Sequence, residues 1–147
     1  MGGTVMKRLV LMLILMQLVA TGAMPAHASS EPVRLTFDKS LVDPAGVWEG
    51  TVTGDIEGDL TTVLLEANQT GVIQHVKFDW IVDAADDDLD FTAELDGILN
   101  LETGQVVMDG NVVDGYLDGA QVHEEGQLVN AGTFRFVGSI RIMPATG

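Results

Sequence analysis

Apolar and polar residues alternate with a period of two along most of the chain after residue 28. In the stretch HVKFDWIVD, residues 75–83, Val76, Phe78 and Trp80 share one parity, and polar side chains take most of the other. Successive side chains of a β-strand point to opposite faces, so this pattern predicts strands with one dry and one wet face. Helical periodicity is nearly absent from the same region. The alternation therefore predicts an all-β fold.

Turn-forming residues divide this pattern into eight predicted strands. The dividers are rich in Gly, Asn, Asp and Pro, as in DPAG at 43–46 and NQTG at 68–71. Connections this short favour a meander, in which each strand pairs with the next strand of the chain. The predicted strands are residues 33–39, 47–56, 60–67, 72–82, 89–101, 105–113, 120–129 and 133–143.

Glycines interrupt the dry faces of several predicted strands. Gly138 shares the parity of Phe136 and Ile140, and Gly50 shares that of Trp48 and Val52. Glycine weakens side-chain packing, but it lets a long strand coil and bend as barrel closure requires. We therefore predict an eight-stranded antiparallel meander β-barrel, with a two-sheet β-sandwich as the alternative.

The N-terminal region carries the pattern of an export signal. Lys7 and Arg8 precede an apolar run over residues 9–24, and the small-x-small sequence Ala26-His27-Ala28 follows. This order of charge, apolar segment and cleavage site is typical of a signal peptide. We predict a signal peptide at residues 1–28, a single barrel domain at residues 29–147, and a secreted or periplasmic location. No later apolar run is long enough to predict a membrane anchor.

The predicted mature domain is strongly acidic and contains no cysteine. All 22 acidic residues follow residue 28, whereas two of the seven Lys and Arg residues precede it, so the domain is more acidic than the whole chain at −15. Such a surface repels phosphate, which makes nucleic acids and anionic headgroups poor candidate partners. Without disulfides, packing alone has to hold the fold.

The C-terminal part of the chain has a familiar spacing of glycines and aromatic residues. It runs from 104 to 110, through GQLV at 126–129, to the repeat that begins at Gly132 and includes Phe134, Phe136 and Gly138. This part resembles the closing strands of the allene oxide cyclase and dirigent barrel families. The resemblance implies an eight-stranded barrel whose lumen holds a small apolar molecule. It assigns no catalytic residue to this chain.

Glu124 is the candidate catalytic residue. It shares the drier parity of Val122 and Leu128, which aims its carboxyl at the lumen, whereas its neighbours His123 and Glu125 take the other face. A carboxyl group in an apolar lumen has a raised pKa and can act as an acid or a base. His123 and Glu125 could cooperate with each other on their own face. The alternative for Glu124 is a hydrated position near the mouth of the barrel.

Aromatic side chains are the candidate ligand-binding residues. A small barrel is either filled by its own side chains or leaves room for one small molecule, and the sequence leaves both alternatives open. In the second case, rings on the dry faces would form the wall of the binding site. These candidates are Trp48, Trp80, Phe91, Phe134 and Phe136.

The sequence predicts no metal site and no cofactor. The acidic stretch 83–90 has many oxygen ligands, but it lacks the glycine and the distal glutamate of an EF-hand loop. His75 and His123 have no third zinc ligand at a recognisable spacing. Nucleotide-binding and serine-hydrolase motifs are also missing.

These observations lead to three functional hypotheses. The first is an exported barrel that binds a small apolar molecule in its lumen. The second is a cyclase or isomerase of the allene oxide cyclase-like type that uses Glu124. The third is a structural envelope or extracellular protein with a filled core.

Overall fold

Eight β-strands make up most of residues 31–145, the part of the chain that the computed structural model describes. The predicted signal peptide, residues 1–28, lies outside the described residues. A short 3-10 turn at Asp87–Leu89 precedes the fifth strand, and between residues 31 and 145 no helix has the length and apolarity needed to cross a bilayer. The strands are β1 Val33–Asp43, β2 Val47–Gly54, β3 Gly58–Thr70, β4 Ile73–Ala84, β5 Phe91–Asn100, β6 Gln105–Gly115, β7 Gln121–Asn130 and β8 Arg135–Met143.

The strands form a closed antiparallel barrel in meander order. Each strand pairs with the next, and β8 returns to pair with β1, where Val33 lies opposite Ile142 and Lys39 lies opposite Phe136. The predicted barrel is thus confirmed, and the sandwich alternative is excluded. Closure gives every strand a partner on both sides over at least part of its length, which removes most of the free sheet edge.

Glycines allow neighbouring strands to approach closely where the barrel coils. Gly138 of β8 lies opposite Gly126 of β7, and a Cβ at Gly138 would overlap the backbone carbonyl of Glu125. Gly50 of β2 has the same relation to the carbonyl of Asp38 on β1. Any side chain at these positions would force the strands apart. The glycines on the dry faces therefore serve the curvature that the sequence predicted for them.

The two ends of the barrel differ in packing. At the end that contains the β2–β3, β4–β5 and β6–β7 connections, the buried side chains of Ile56, Phe91 and Ala120 fill the interior. Further in, Phe37 and Trp80 meet edge to face, with ring centroids 5.1 Å apart and planes at 88°. Such a pair adds about 1 kcal/mol beyond the apolar area that it buries. The apolar core therefore closes one end of the barrel.

The start of β8 differs from the prediction. The predicted strand begins at residue 133, whereas the observed strand begins at Arg135. Phe134 belongs to the preceding turn and has a left-handed backbone with φ of 48°. The turn is tied to β2 because the indole Nε1 of Trp48 donates a hydrogen bond of 2.9 Å to the carbonyl of Phe134. This contact holds the β7–β8 turn beside the second end of the barrel.

Candidate ligand-binding cavity

A cavity of about 420 Å³ occupies the end of the barrel opposite the packed core. All eight strands contribute to its wall, and residues of the β1–β2 and β7–β8 turns line its mouth. The wall is mainly apolar, because most inward positions of the strands carry aliphatic, aromatic or methionine side chains. Its apolar members include Trp48, Leu64, Phe78, Leu99, Met108 and Phe136. A cavity of this size suits one small molecule.

Two charged side chains reach the interior of this apolar cavity. Lys39 on β1 is 4% exposed and Glu124 on β7 is 1% exposed, and both line the cavity. Strand alternation places them there, since Lys39 has the parity of Leu35 and Phe37. The Nζ of Lys39 donates a hydrogen bond of 3.1 Å to the buried hydroxyl of Thr62 on β3. The polar part of the cavity thus consists mainly of one amine and one carboxyl group.

Four aromatic rings surround the amine of Lys39. Its Nζ lies 5.0 Å from the ring centroid of Phe78, 5.1 Å from that of Trp80, 5.6 Å from that of Trp48 and 5.7 Å from that of Phe37. Each ring face attracts a cation, and the attraction is stronger where water is excluded. The cage therefore stabilises a positive charge at this point of the cavity.

Burial disfavours the charged form of Lys39. The loss of hydration lowers the pKa of Lys39 from 10.5 to about 8, and the nearby Glu124 offsets part of this effect. The ring faces act in the same direction as Glu124, since they stabilise the ammonium form. The amine consequently loses its proton more readily than an ordinary lysine.

Glu124 shows the opposite response to the same environment. Burial raises the pKa of Glu124 from 4.5 to about 7, while Lys39, the Trp80 indole and His123 each lower it in part. The Trp80 indole lies close to the carboxyl, but Trp80 Nε1 and Glu124 Oε1 both lack a hydrogen-bond partner. Among residues 31–145, no ion pair within 4.0 Å joins the amine of Lys39 to the carboxyl of Glu124. Glu124 therefore keeps an unused oxygen in the buried site.

The residues predicted from the sequence occupy different depths of the barrel. Trp48, Phe134 and Phe136 line the cavity, with Phe134 about half exposed at its mouth. Trp80 lies below the cavity against Phe37, and Phe91 lies in the packed core at the opposite end; neither lines the cavity wall. The structure thus brings three of the five aromatic candidates together around the cavity that Glu124 also lines.

Sequence reasoning missed Lys39. The signal was present, because Lys39 has the same parity as the dry residues Leu35 and Phe37 of its strand. A lysine at the end of a predicted strand is usually solvated, since its long side chain can reach water. Here β1 continues to Asp43, so Lys39 lies within the strand and its side chain points into the closed barrel.

No protein-family model and no curated protein matches the sequence. The resemblance to allene oxide cyclase-like barrels therefore stays a prediction.

A second polar cluster lies on the outer wall of the barrel. His123 Nδ1 is 2.7 Å from Asp109 Oδ1, and His123 Nε2 is 3.0 Å from Glu125 Oε2. These hydrogen bonds, that to Asp109 first, raise the pKa of His123 above 6.5. As the alternation predicted, His123 and Glu125 are neighbours on one face while Glu124 takes the other. The cluster does not border the cavity.

The acidic turn at 83–90 uses carboxylates to hold its own backbone. Oxygens of Asp83, Asp87 and Asp90 lie within 4.8 Å of one another. Asp90 Oδ1 accepts a 2.7 Å hydrogen bond from the backbone N–H of Ala84, and Asp86 accepts one from the N–H of Asp88. These bonds hold the backbone of the turn in place.

Proposed function

We propose that the mature protein binds one small, mostly apolar molecule inside the barrel. The observation that carries this proposal is the cavity of about 420 Å³, which the protein's own side chains leave unfilled at one end. A barrel with a purely structural role would fill this space, because close packing stabilises a core. The open mouth between the turns provides an entry path.

The cavity also defines the polarity of the ligand. Most of its wall can offer only apolar contact, whereas Lys39 and Glu124 offer a donor and an unused acceptor at one place. Sites for small molecules commonly combine an apolar wall with a few polar groups that fix orientation. We therefore expect a ligand with an apolar body and one polar group, bound with that group inward.

The proposal also includes export of the protein and membership of an allene oxide cyclase-like family. The pattern of residues 1–28 supports a secreted or periplasmic binding protein. The glycine and aromatic spacing of the C-terminal strands supports an allene oxide cyclase-like barrel. Both features agree with a small-molecule binder that works outside the cytoplasm.

Catalysis by Glu124 is the second candidate function. Its support is a buried carboxyl whose pKa is raised to about 7 and whose Oε1 has no partner. Such a group can donate or accept a proton near neutral pH, as a cyclase or isomerase requires. Turnover of a polyene or epoxide by the wild type, lost in Glu124→Gln with binding retained, would favour this function over simple binding.

A cavity-filling substitution tests the binding proposal. Leu99 on β5 lines the cavity, and Leu99→Trp would place a larger ring in it, whereas its neighbour Ile98 is 38% exposed on the outer wall. The neutral apolar probe N-phenyl-1-naphthylamine becomes fluorescent when it leaves water. We expect the wild type and Ile98→Trp to bind it, and Leu99→Trp to lose at least about tenfold in affinity.

The possible results separate the hypotheses. Equal binding by Leu99→Trp and Ile98→Trp would place the probe outside the cavity and contradict the proposal. Failure of a panel of apolar probes to bind the wild type, together with stable oligomers on a sizing column, would favour the structural hypothesis. A thermal melt of each variant controls for folding.

A further inference from the structure

The amine of Lys39 is the one strong nucleophile among the side chains that line the cavity. The other lining groups are aliphatic, aromatic or thioether side chains, backbone, the amide of Gln74 and the carboxyl of Glu124. Thr62 holds the amine through a 3.1 Å hydrogen bond. A neutral lysine amine adds to carbonyl carbons, which neither arginine nor an ammonium ion does.

The charges of the site select the kind of polar group that a ligand can bring. A ligand carboxylate or a ligand amine would bring a third charge into a buried site where Lys39 and Glu124 already offset each other, so either one would leave a charge uncompensated. An uncharged carbonyl group meets neither penalty, since the amine and the carboxyl already balance each other. A carbonyl oxygen can also accept a hydrogen bond from the protonated Glu124.

We propose that Lys39 binds a small apolar aldehyde or ketone covalently, as a Schiff base inside the cavity. This inference rests on the proposed function, because it requires a ligand in the barrel. It adds the class of ligand and the atom that holds it. The reversible covalent bond would retain a small volatile carbonyl compound that apolar contact alone holds weakly.

The proposed reaction balances with the groups of the site. The Lys39 amine forms a bond to the carbonyl carbon and gives a carbinolamine. Glu124 donates its proton to the hydroxyl group, the carbon–oxygen bond breaks, and water leaves. The products are a protonated imine on Lys39, a carboxylate on Glu124 and one water molecule. No oxidant or reductant is needed, and hydrolysis reverses the same steps.

The surroundings of Lys39 favour this product. The imine is a cation, and it forms at the centre of the four rings that lie 5.0 to 5.7 Å from Nζ. Glu124 then becomes the counter-ion of the imine, so its carboxyl group gains the partner that it lacks before the reaction. Exclusion of water by the apolar wall slows hydrolysis of the imine.

The acid–base properties of the two groups support the chemistry. Burial lowers the pKa of Lys39 to about 8 and raises that of Glu124 to about 7. Near neutral pH, the amine is therefore neutral far more often than an ordinary lysine, and the carboxyl often carries the proton that it has to donate.

Native mass spectrometry with trans-cinnamaldehyde tests the proposal directly. The purified protein is incubated with this aldehyde near pH 8, and cinnamyl alcohol serves as the unreactive analogue. A Schiff base adds the mass of the aldehyde less one water, whereas non-covalent binding adds the full mass. Reduction with cyanoborohydride then fixes the imine, and peptide mapping locates the label.

Lys77 provides an internal control. It is the other lysine of residues 31–145, lies on the outer wall and has a side chain that is 39% exposed. A non-selective reaction would label Lys77 first, because it is the more accessible amine. We expect Lys39 to carry more than about tenfold more label than Lys77, because Lys39 lines the cavity that holds the aldehyde and Lys77 does not. This ratio is measured within the wild type, so it does not depend on a variant that folds.

Variants complete the test. Lys77→Met should leave the amount of adduct unchanged. Lys39→Arg should abolish the adduct, whereas cinnamyl alcohol should still quench the fluorescence of Trp48 in this variant. If the alcohol quenches Trp48 but no label reaches Lys39, the Schiff base is wrong and the binding function stands. A different outcome would contradict the binding function itself. In that case neither the alcohol nor the aldehyde would change the fluorescence of Trp48 or the mass of the protein, and the wider panel of apolar probes would also fail to bind.

Discussion

Replacing Glu124 with glutamine should remove a specific pH dependence from the stability of the barrel. Burial raises the pKa of Glu124 from 4.5 to about 7 in the folded chain, while the unfolded chain keeps the ordinary value. Between these two values the folded state binds more protons than the unfolded state. The contribution of Glu124 to stability is therefore fully present below about pH 4.5 and is lost as the pH rises towards 7.

The size of this effect follows from the shift. Each pKa unit corresponds to about 1.4 kcal/mol, so the interval from 4.5 to about 7 amounts to about 3 kcal/mol in the free energy of unfolding. Solvent screening does not reduce this value much, because the side chain is 1% exposed. In Glu124→Gln the fall should be absent, and the remaining pH dependence should come from the other carboxyl groups.

Urea unfolding, measured at several pH values between 4.5 and 7, checks this prediction. The relevant quantity is the difference in the free energy of unfolding between the wild type and Glu124→Gln at each pH. Glu49→Gln is the matched control, because it removes the same charge from an exposed position on β2. Parallel curves for the wild type and Glu124→Gln would refute the reasoning, since they would mean that Glu124 titrates like a solvated carboxyl.

Two further predictions concern the barrel wall. Gly138→Ala should destabilise the protein by about 1–3 kcal/mol in urea unfolding, because the added Cβ would overlap the carbonyl of Glu125. Gly132→Ala in the preceding turn should destabilise it less. Equal effects of the two substitutions would contradict the explanation by close approach of the strands. An NMR titration should place the pKa of His123 above 6.5, and Asp109→Asn should lower it. The stabilising effect of protonated His123 should then be present at acidic pH and disappear as the pH rises through the folded-state pKa; an unchanged titration in Asp109→Asn would argue against this hydrogen bond.

Strand alternation predicted much of the fold because each strand has one dry and one wet parity. All eight predicted strands are present, and Glu124 points inward as the parity of Val122 and Leu128 indicated. Gly138 signalled curvature because no other residue tolerates such a close backbone approach. These are local signals, so they can be read without knowing which strand lies beside which.

The cavity could not be predicted in the same way, because depth along the barrel axis depends on the register of distant strands. Trp48 and Trp80 are both aromatic and inward, yet one lines the cavity and the other lies beneath it. The position of Phe91 depends similarly on the closed end of the barrel. The proximity of Lys39 to Glu124 is set by β8, which pairs with both β1 and β7 and closes the ring.

Lys39 and Glu124 are costly to retain for stability alone. A buried amine and carboxyl lose their hydration, and here they do so without a direct ion pair and with Glu124 Oε1 unpartnered. Apolar residues of similar volume at both positions would relieve these penalties. A protein whose core served only to hold the barrel together would gain from that exchange. The polar pair, the aromatic cage and the unfilled space meet at one place, which is the arrangement expected of a site built for a ligand.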